Sequence, residues 1–202
     1  MRTSQKYFYF LTTLTFLVLI VLKLGMPAIL GKYSKVSEPP FYNYQVSDFK
    51  LYDAQNKEFS LQDLSGKIFV TDFIFTTCSG VCPLMTKNLK SVYGEFAAKD
   101  EVHFVSVTVN PEFDSPQVLA EYAKKYGLDP LRWHFLTGSR ESIQDLAIQG
   151  FKIGSVEDPV FHSTFLVLAD KKAQIRGYYD GTKEEDLGRL KADIRRLLKE
   201  KD

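Results

Sequence analysis

Thr71-Asp72-Phe73-Ile74-Phe75-Thr76-Thr77-Cys78-Ser79-Gly80-Val81-Cys82-Pro83 marks the change from a strand pattern to a helical one. A run dense in β-branched and aromatic residues ends in a Gly-containing turn, and a helical pattern opens at Pro83. Met85, Leu89, Val92 and Phe96 then recur at i, i+4, i+7 and i+11, which is one apolar stripe on a helix. Proline is tolerated in a first helical turn because the N–H it lacks would have no intrahelical partner. The stretch is therefore a strand, a turn and a helix N-terminus, and both cysteines of the chain fall at that junction. Cys78 and Cys82 flank the positive end of the helix dipole, where a thiolate is stabilised and a thiol pKa falls.

Outward from the junction the chain alternates strands and helices. Residues 68–75 form the first long strand, preceded by a short hairpin of 49–52 and 59–61. Residues 102–109 are Val-rich and suit a central strand. Ser115 is placed to cap a helix with Pro116 at its first position, an inner stripe of Leu119, Tyr122, Ala123 and Tyr126, and Gly127 as its stop. A strand at 133–136 follows, then a helix opened by Ser139 and ended by Gly150. Residues 165–169 and 174–179 read as an antiparallel hairpin. The last helix is expected to start with a capping box of Thr182 and Glu185 and to turn Leu187, Leu190, Ile194 and Leu197 inward. This order predicts an α/β fold with a mostly parallel central sheet, a C-terminal β-hairpin and helices on both faces. A strand, a cysteine pair and a helix in such a pattern point to the thioredoxin-like class.

The folded domain is expected over 41–202, behind an appendage. Residues 7–30 are apolar apart from three threonines and Lys23, long enough to cross a bilayer, which takes about 20 mostly apolar residues. A cleaved signal peptide is the competing reading, but no convincing A-x-A site follows, so residues 1–30 are expected to be a cytoplasmic end and an uncleaved transmembrane anchor. Residues 31–40 end in Pro-Pro and read as an extended linker. Lys23, Lys32 and Lys35 on one side and Arg2 and Lys6 on the other leave the positive-inside rule indecisive. The formal charge of +1, with Lys and Arg spread rather than clustered, gives no nucleic-acid footprint.

The chemistry is carried by Cys78 and Cys82. Residues four apart on a helical turn have Cβ atoms about 5–6 Å apart, a spacing that suits two thiolates on one metal ion or, after slight closure, a reversible disulfide. Of three histidines, His103 and His134 fall within strands and read as structural or surface residues. His162 falls in a loop just before the hairpin, and loops held by a rigid scaffold are where functional groups concentrate. Two thiolates and an imidazole suit Cu(I), Cu(II) or Zn(II) far better than Mg or Ca. Asp72, on the strand that leads to the cysteines, either orients a ligand and tunes a thiol or is a hydrogen-bonded strand acid.

At these residues the sequence closely resembles the Sco (SenC) family of copper-binding proteins that assist cytochrome c oxidase assembly. The matching pieces are 72–76 leading into Cys78-Ser79-Gly80-Val81-Cys82-Pro83, then 107–116, Trp133 with Phe135-Leu136-Thr137-Gly138, and His162-Ser163. One departure is Asn110, where family members commonly carry Asp; it puts no ligand in doubt. The resemblance implies a thioredoxin-like fold, a membrane tether with the domain on the extracytoplasmic (periplasmic) side, and one copper per chain held by Cys78, Cys82 and His162. By the same resemblance Asp72 stands behind the ligands rather than among them. Two functions follow. One is a metallochaperone for the copper-site subunit of cytochrome c oxidase, with other copper chaperones and thiol reductants as further partners. The other is a thiol–disulfide oxidoreductase that keeps that subunit's cysteines reduced. The distal His162 favours the chaperone, because a pure oxidoreductase has no use for a third soft ligand.

Overall fold

The computed structural model describes residues 44–154 and 163–200. The expected anchor and linker lie outside these residues, and so does His162. Among the described residues no helix is long and apolar enough to cross a membrane.

In chain order the elements are β1 (Lys50–Asp53), β2 (Glu58–Ser60), a 3-10 turn (Leu61–Leu64), β3 (Ile68–Ile74), α1 (Val81–Phe96), β4 (Val102–Thr108), α2 (Pro116–Lys125), β5 (Trp133–Thr137), α3 (Arg140–Asp145) running into a π turn (Leu146–Gly150), β6 (Phe165–Ala169), β7 (Ile175–Asp180) and α4 (Glu184–Leu197). Seven strands form one sheet in the order β2-β1-β5-β4-β3-β6-β7. Among the described residues parallel pairing is confined to β3 with β4 and β4 with β5. The hairpin β1–β2 joins β5 antiparallel, and the hairpin β6–β7 joins β3 antiparallel. The parallel part is thus narrower than the alternation of strands and helices suggests, because both flanks are closed by hairpins rather than crossovers.

Strand β3 lies in the middle, and all seven of its residues are buried. Successive side chains point to opposite faces. Ile68, Val70 and Ile74 meet Met85, Leu89, Val92 and Phe96 of α1 together with Leu119 of α2 and Leu187, Leu190, Ile194 and Leu197 of α4. Phe69 and Phe73 face the other way, onto Ile143 of α3, Leu146 and Phe151. Helices therefore cover both faces. Each fully buried Met or Leu of the α1 stripe contributes about 1.5–3 kcal/mol of apolar burial, enough to fix that helix on the sheet.

Three local expectations change. Helix α1 begins at Val81, two residues before Pro83, so Cys82 lies inside the first turn rather than beside it. Proline at the third helical position is tolerated for the same reason as at the first, since the first four N–H groups lack partners. Ser139 caps α3 as expected, accepting from Ser142 N–H at 3.1 Å, but the helix loosens after Asp145 into a π turn closed by Phe151 N–H to Leu146 O at 2.9 Å. Thr182 and Glu185 do not form a capping box; Lys183 occupies the cap position and makes no side-chain cap bond. The Thr182 hydroxyl donates instead to Asp180 Oδ1 at 2.6 Å, a nearer and charged acceptor. The dipole of α4 is met by Glu184, Glu185 and Asp186 in its first turn.

Candidate metal centre

The sequence after Ile74 leaves the sheet and folds a tight turn, in which Cys78 N–H donates to Phe75 O at 3.2 Å. That turn delivers Cys78 in front of the α1 N-terminus. There its sulfur collects the backbone N–H groups of Gly80, Val81 and Cys82, three donors that a helix start would otherwise leave to water. Cys82, one turn into the helix, is only 4 % exposed, whereas Cys78 is half-exposed. The two sulfurs share a hydrogen bond.

Their environments separate the two thiols. Burial opposes ionisation of Cys78, but the hydrogen bond of the Cys82 thiol and the three backbone N–H groups outweigh it and hold its pKa below the ordinary value. Burial pushes Cys82 up to about 12, against one backbone N–H from Phe75, and the neighbouring Cys78 adds to the rise. Cys78 is thus the more accessible and more acidic thiol, and Cys82 the buried one whose S–H donates to it. Both thiols would have to deprotonate to hold a metal, so loading releases protons.

Asp72 is fully buried on the face of β3 that carries α1, between Val70 and Ile74. Its Oδ1 accepts the Ser106 hydroxyl at 2.6 Å, and Ser106 Oγ in turn accepts Trp133 Nε1–H at 2.8 Å. Its Oδ2 has no hydrogen-bond partner. Burial raises the Asp72 pKa to about 7, with the Ser106 bond working against the rise. When charged, Asp72 disfavours the Cys82 thiolate. It stands behind Cys82 as an electrostatic neighbour and a member of a buried hydrogen-bond chain. Thr86 ties the same region to α2: its hydroxyl donates to Cys82 O at 3.0 Å and meets Tyr122 Oη at 2.9 Å.

His103 and His134 lie elsewhere. His103 pairs in register with Phe69, near the start of β3, and the cysteines follow its other end. Both imidazoles project to the face opposite α1, stacked at 5.2 Å with Nδ1 of His103 2.9 Å from Nε2 of His134, and Phe59 packs on His134 at 4.7 Å. Burial lowers both pKa values, that of His134 to about 4. They form a neutral structural pair remote from the thiols.

His162 lies outside the described residues. What is described is the chain immediately after it. Strand β6 runs antiparallel to β3, with Thr71 opposite Val167, so its start comes to the end of β3 that leads to the cysteines. Gly181 N–H donates to Thr164 O at 2.8 Å, and Asn88 of α1 donates its side-chain amide to Gly181 O at 2.8 Å. The helix that carries Cys82 and the residues next to His162 are therefore linked through one glycine. Among the described residues there is no cluster of three or more metal-ligating side chains. Two soft sulfur donors sharing one hydrogen bond fit Cu(I), Cu(II) or Zn(II), ions that also take nitrogen donors.

One feature was not legible beforehand: Asp114, from the loop after β4, is buried beneath the cysteine turn and bonded to Thr76. Its position just before the Ser115–Pro116 cap makes it look like an exposed loop acid, and no local pattern signals a partner 38 residues away.

Comparison with known proteins places this geometry in context. The SCO1/SenC family model matches residues 38–199. The SCO1 protein homolog of Bacillus subtilis is 31 % identical over 159 residues, which cover 76 % of this chain and 82 % of that protein. BsSco, a member of the Sco family of cytochrome c oxidase assembly proteins in which a disulfide switch was identified, is 29 % identical with a TM-score of 0.70 over 83 % of this chain and all (100 %) of that one. Yeast Sco1 with copper bound is 24 % identical, with a TM-score of 0.63 over 78 % of this chain and 94 % of its own, a likeness of fold.

Proposed function

The chain belongs to the SCO1/SenC family, and on that premise we propose that it is a copper metallochaperone that takes part in the assembly of the copper centre of cytochrome c oxidase. Cys78, Cys82 and His162 hold one copper ion. Copper is the cargo, and the oxidase subunit with the copper site is the partner. The observation that carries this reading is the hydrogen-bonded pair Cys78–Cys82 at the start of α1, one sulfur open to solvent and the other 4 % exposed. A cargo ion reaches the pair from the Cys78 side and is held from behind by a ligand anchored in the core. The link from Asn88 through Gly181 to Thr164 supports His162 as the third donor.

The asymmetry of the two thiols also supports thiol–disulfide exchange with the same partner. In that step the Cys78 thiolate attacks a disulfide of the target and expels one target thiolate. Cys82 then attacks Cys78 in the mixed disulfide, releasing the second target thiol and leaving Cys78–Cys82 oxidised. Two electrons pass to the target. The two activities act in sequence, since copper delivery needs reduced target thiols.

Mixing the protein with the copper-site domain of an oxidase subunit distinguishes them. Copper-loaded protein and reduced target should exchange the metal, read as loss of its thiolate-to-copper absorption and appearance of the target's. Metal-free reduced protein and oxidised target should exchange only the disulfide. Failure of metal transfer with retained disulfide exchange would make the oxidoreductase the main function. The expected single-pass anchor, with the domain on the extracytoplasmic side, belongs to the same proposal; a native mature chain starting near Lys32 would contradict the uncleaved anchor.

A further inference from the structure

We propose that Asp114 is a positioning residue for Cys78, acting through Thr76; the inference rests on reading Cys78 and Cys82 as the working thiols. The last backbone rung between β3 and β4 is Val109 N–H to Ile74 O at 2.8 Å. Beyond it the two chains part, and the turn carrying Cys78 has no further strand neighbour on that side. The Asp114 carboxylate takes the place of the next rung. Its Oδ2 accepts Thr76 N–H at 3.0 Å and the Thr108 hydroxyl at 2.5 Å, while Oδ1 accepts the Thr76 hydroxyl at 2.5 Å.

This carboxylate is fully buried, and burying one costs free energy unless hydrogen bonds to the charged form compensate. Three donors on two chain segments do so. The loop that presents it is folded for the purpose: Asp114 N–H and Phe113 N–H both donate to Asn110 O, at 3.0 and 3.1 Å, and Asn110 N–H donates to Thr108 Oγ1 at 3.0 Å. Thr76 is two residues from Cys78, whose own N–H is held by Phe75 O. Cys82, by contrast, is fixed by α1 and by Thr86. The separation of the two sulfurs is therefore set on one side by a helix and on the other by the Asp114–Thr76 clamp. Releasing the clamp lets Cys78 drift from Cys82, which weakens every state that needs both sulfurs at once, the disulfide and the two-thiolate metal site alike.

Asp114→Asn is the direct change, but it alters a buried group on which both strands depend. Thr76→Val is the sharper test, because Thr76 is half-exposed and the variant keeps the side-chain shape and the backbone N–H bond. Thr76→Ala is a second variant of the same kind. Thr76→Ser restores the hydroxyl. Urea unfolding of each variant separates loss of the clamp from loss of the fold. The reduction potential of the Cys78–Cys82 disulfide and the thiolate-to-Cu(II) absorption are measured in the full chain. Thr76→Val and Thr76→Ala should shift the disulfide equilibrium about tenfold toward the dithiol, about 30 mV less negative for two electrons, with an altered copper band. Thr76→Ser should keep the wild-type potential and band. An unchanged potential in Thr76→Val, or the same shift in Thr76→Ser, overturns the proposal, the latter because the hydroxyl then does not carry the effect. If wild type itself forms no disulfide and binds no copper, the reading of the site fails and this inference falls with it.

Discussion

Reduced, metal-free protein treated with a limiting amount of iodoacetamide near pH 7 is expected to be alkylated at Cys78 and to leave Cys82 largely untouched, with rates at least about thirty-fold apart. Burial drives Cys82 to a pKa of about 12, from 9.0 for an ordinary thiol, while the N–H groups at the start of α1 hold Cys78 below that value. Three pKa units are about a thousandfold in thiolate fraction. Part of that is returned, because a more basic thiolate is the better nucleophile by roughly half a logarithmic unit per pKa unit. The chemical preference left is about thirty-fold, and the 4 % exposure of Cys82 adds to it. The rate at Cys78 should rise with pH and level off below the pH at which a free cysteine does, since its pKa is depressed. Peptide mapping after a timed reaction reads both statements. Equal labelling, or labelling of Cys82 first, would contradict the division of labour between an open thiolate and a buried thiol.

The second large effect is expected at His162. Two thiolates alone hold Cu(I) adequately, but Cu(II) favours nitrogen donors, so His162→Ala should lose Cu(II) affinity while retaining Cu(I). Loss of groups that only support metal ligands costs about 10–100-fold in affinity, and loss of a ligand itself should exceed about a hundredfold. The absorption and paramagnetic spectra should change as well. His103→Ala and His134→Ala are the controls, because those rings pair with each other on the opposite face of the sheet and near the other end of β3. Competition titrations with a Cu(II) chelator give the numbers. Wild-type affinity and spectra in His162→Ala would remove the imidazole from the site and favour a thiol oxidoreductase over a chaperone.

What the sequence made legible was local or periodic. The α1 stripe from Met85 to Phe96, the Ser115–Pro116 helix start and the inner face of α4 each depend on residues within a few positions of one another, and each appears as expected. The cysteine junction was legible for the same reason, since strand, turn and helix start are contiguous. Where neighbours compete, local rules mislead. Thr182 has the spacing of a cap but turns to Asp180, and α3 loosens into a π turn where Leu146 and Ala147 pack into the core. Contacts across the fold were not legible. Nothing near Asp114 announces Thr76, and nothing near His103 announces His134, because sheet order alone brings those partners together. Asp72 falls between: its place on the strand was readable, whereas the Ser106–Trp133 chain that holds it depends on the pairing of β3 with β4 and β5.

The most direct test of the central claim is a copper titration of the reduced full-length protein. Uptake should saturate at one copper per chain and develop thiolate-to-Cu(II) charge-transfer absorption. Cys78→Ser and Cys82→Ser should each abolish that absorption, since either change removes one of the two sulfurs that share the hydrogen bond at the start of α1. A reduced protein that takes up no copper, or that binds it with no thiolate band and indifferently to both cysteine replacements, would contradict a copper centre built on Cys78 and Cys82.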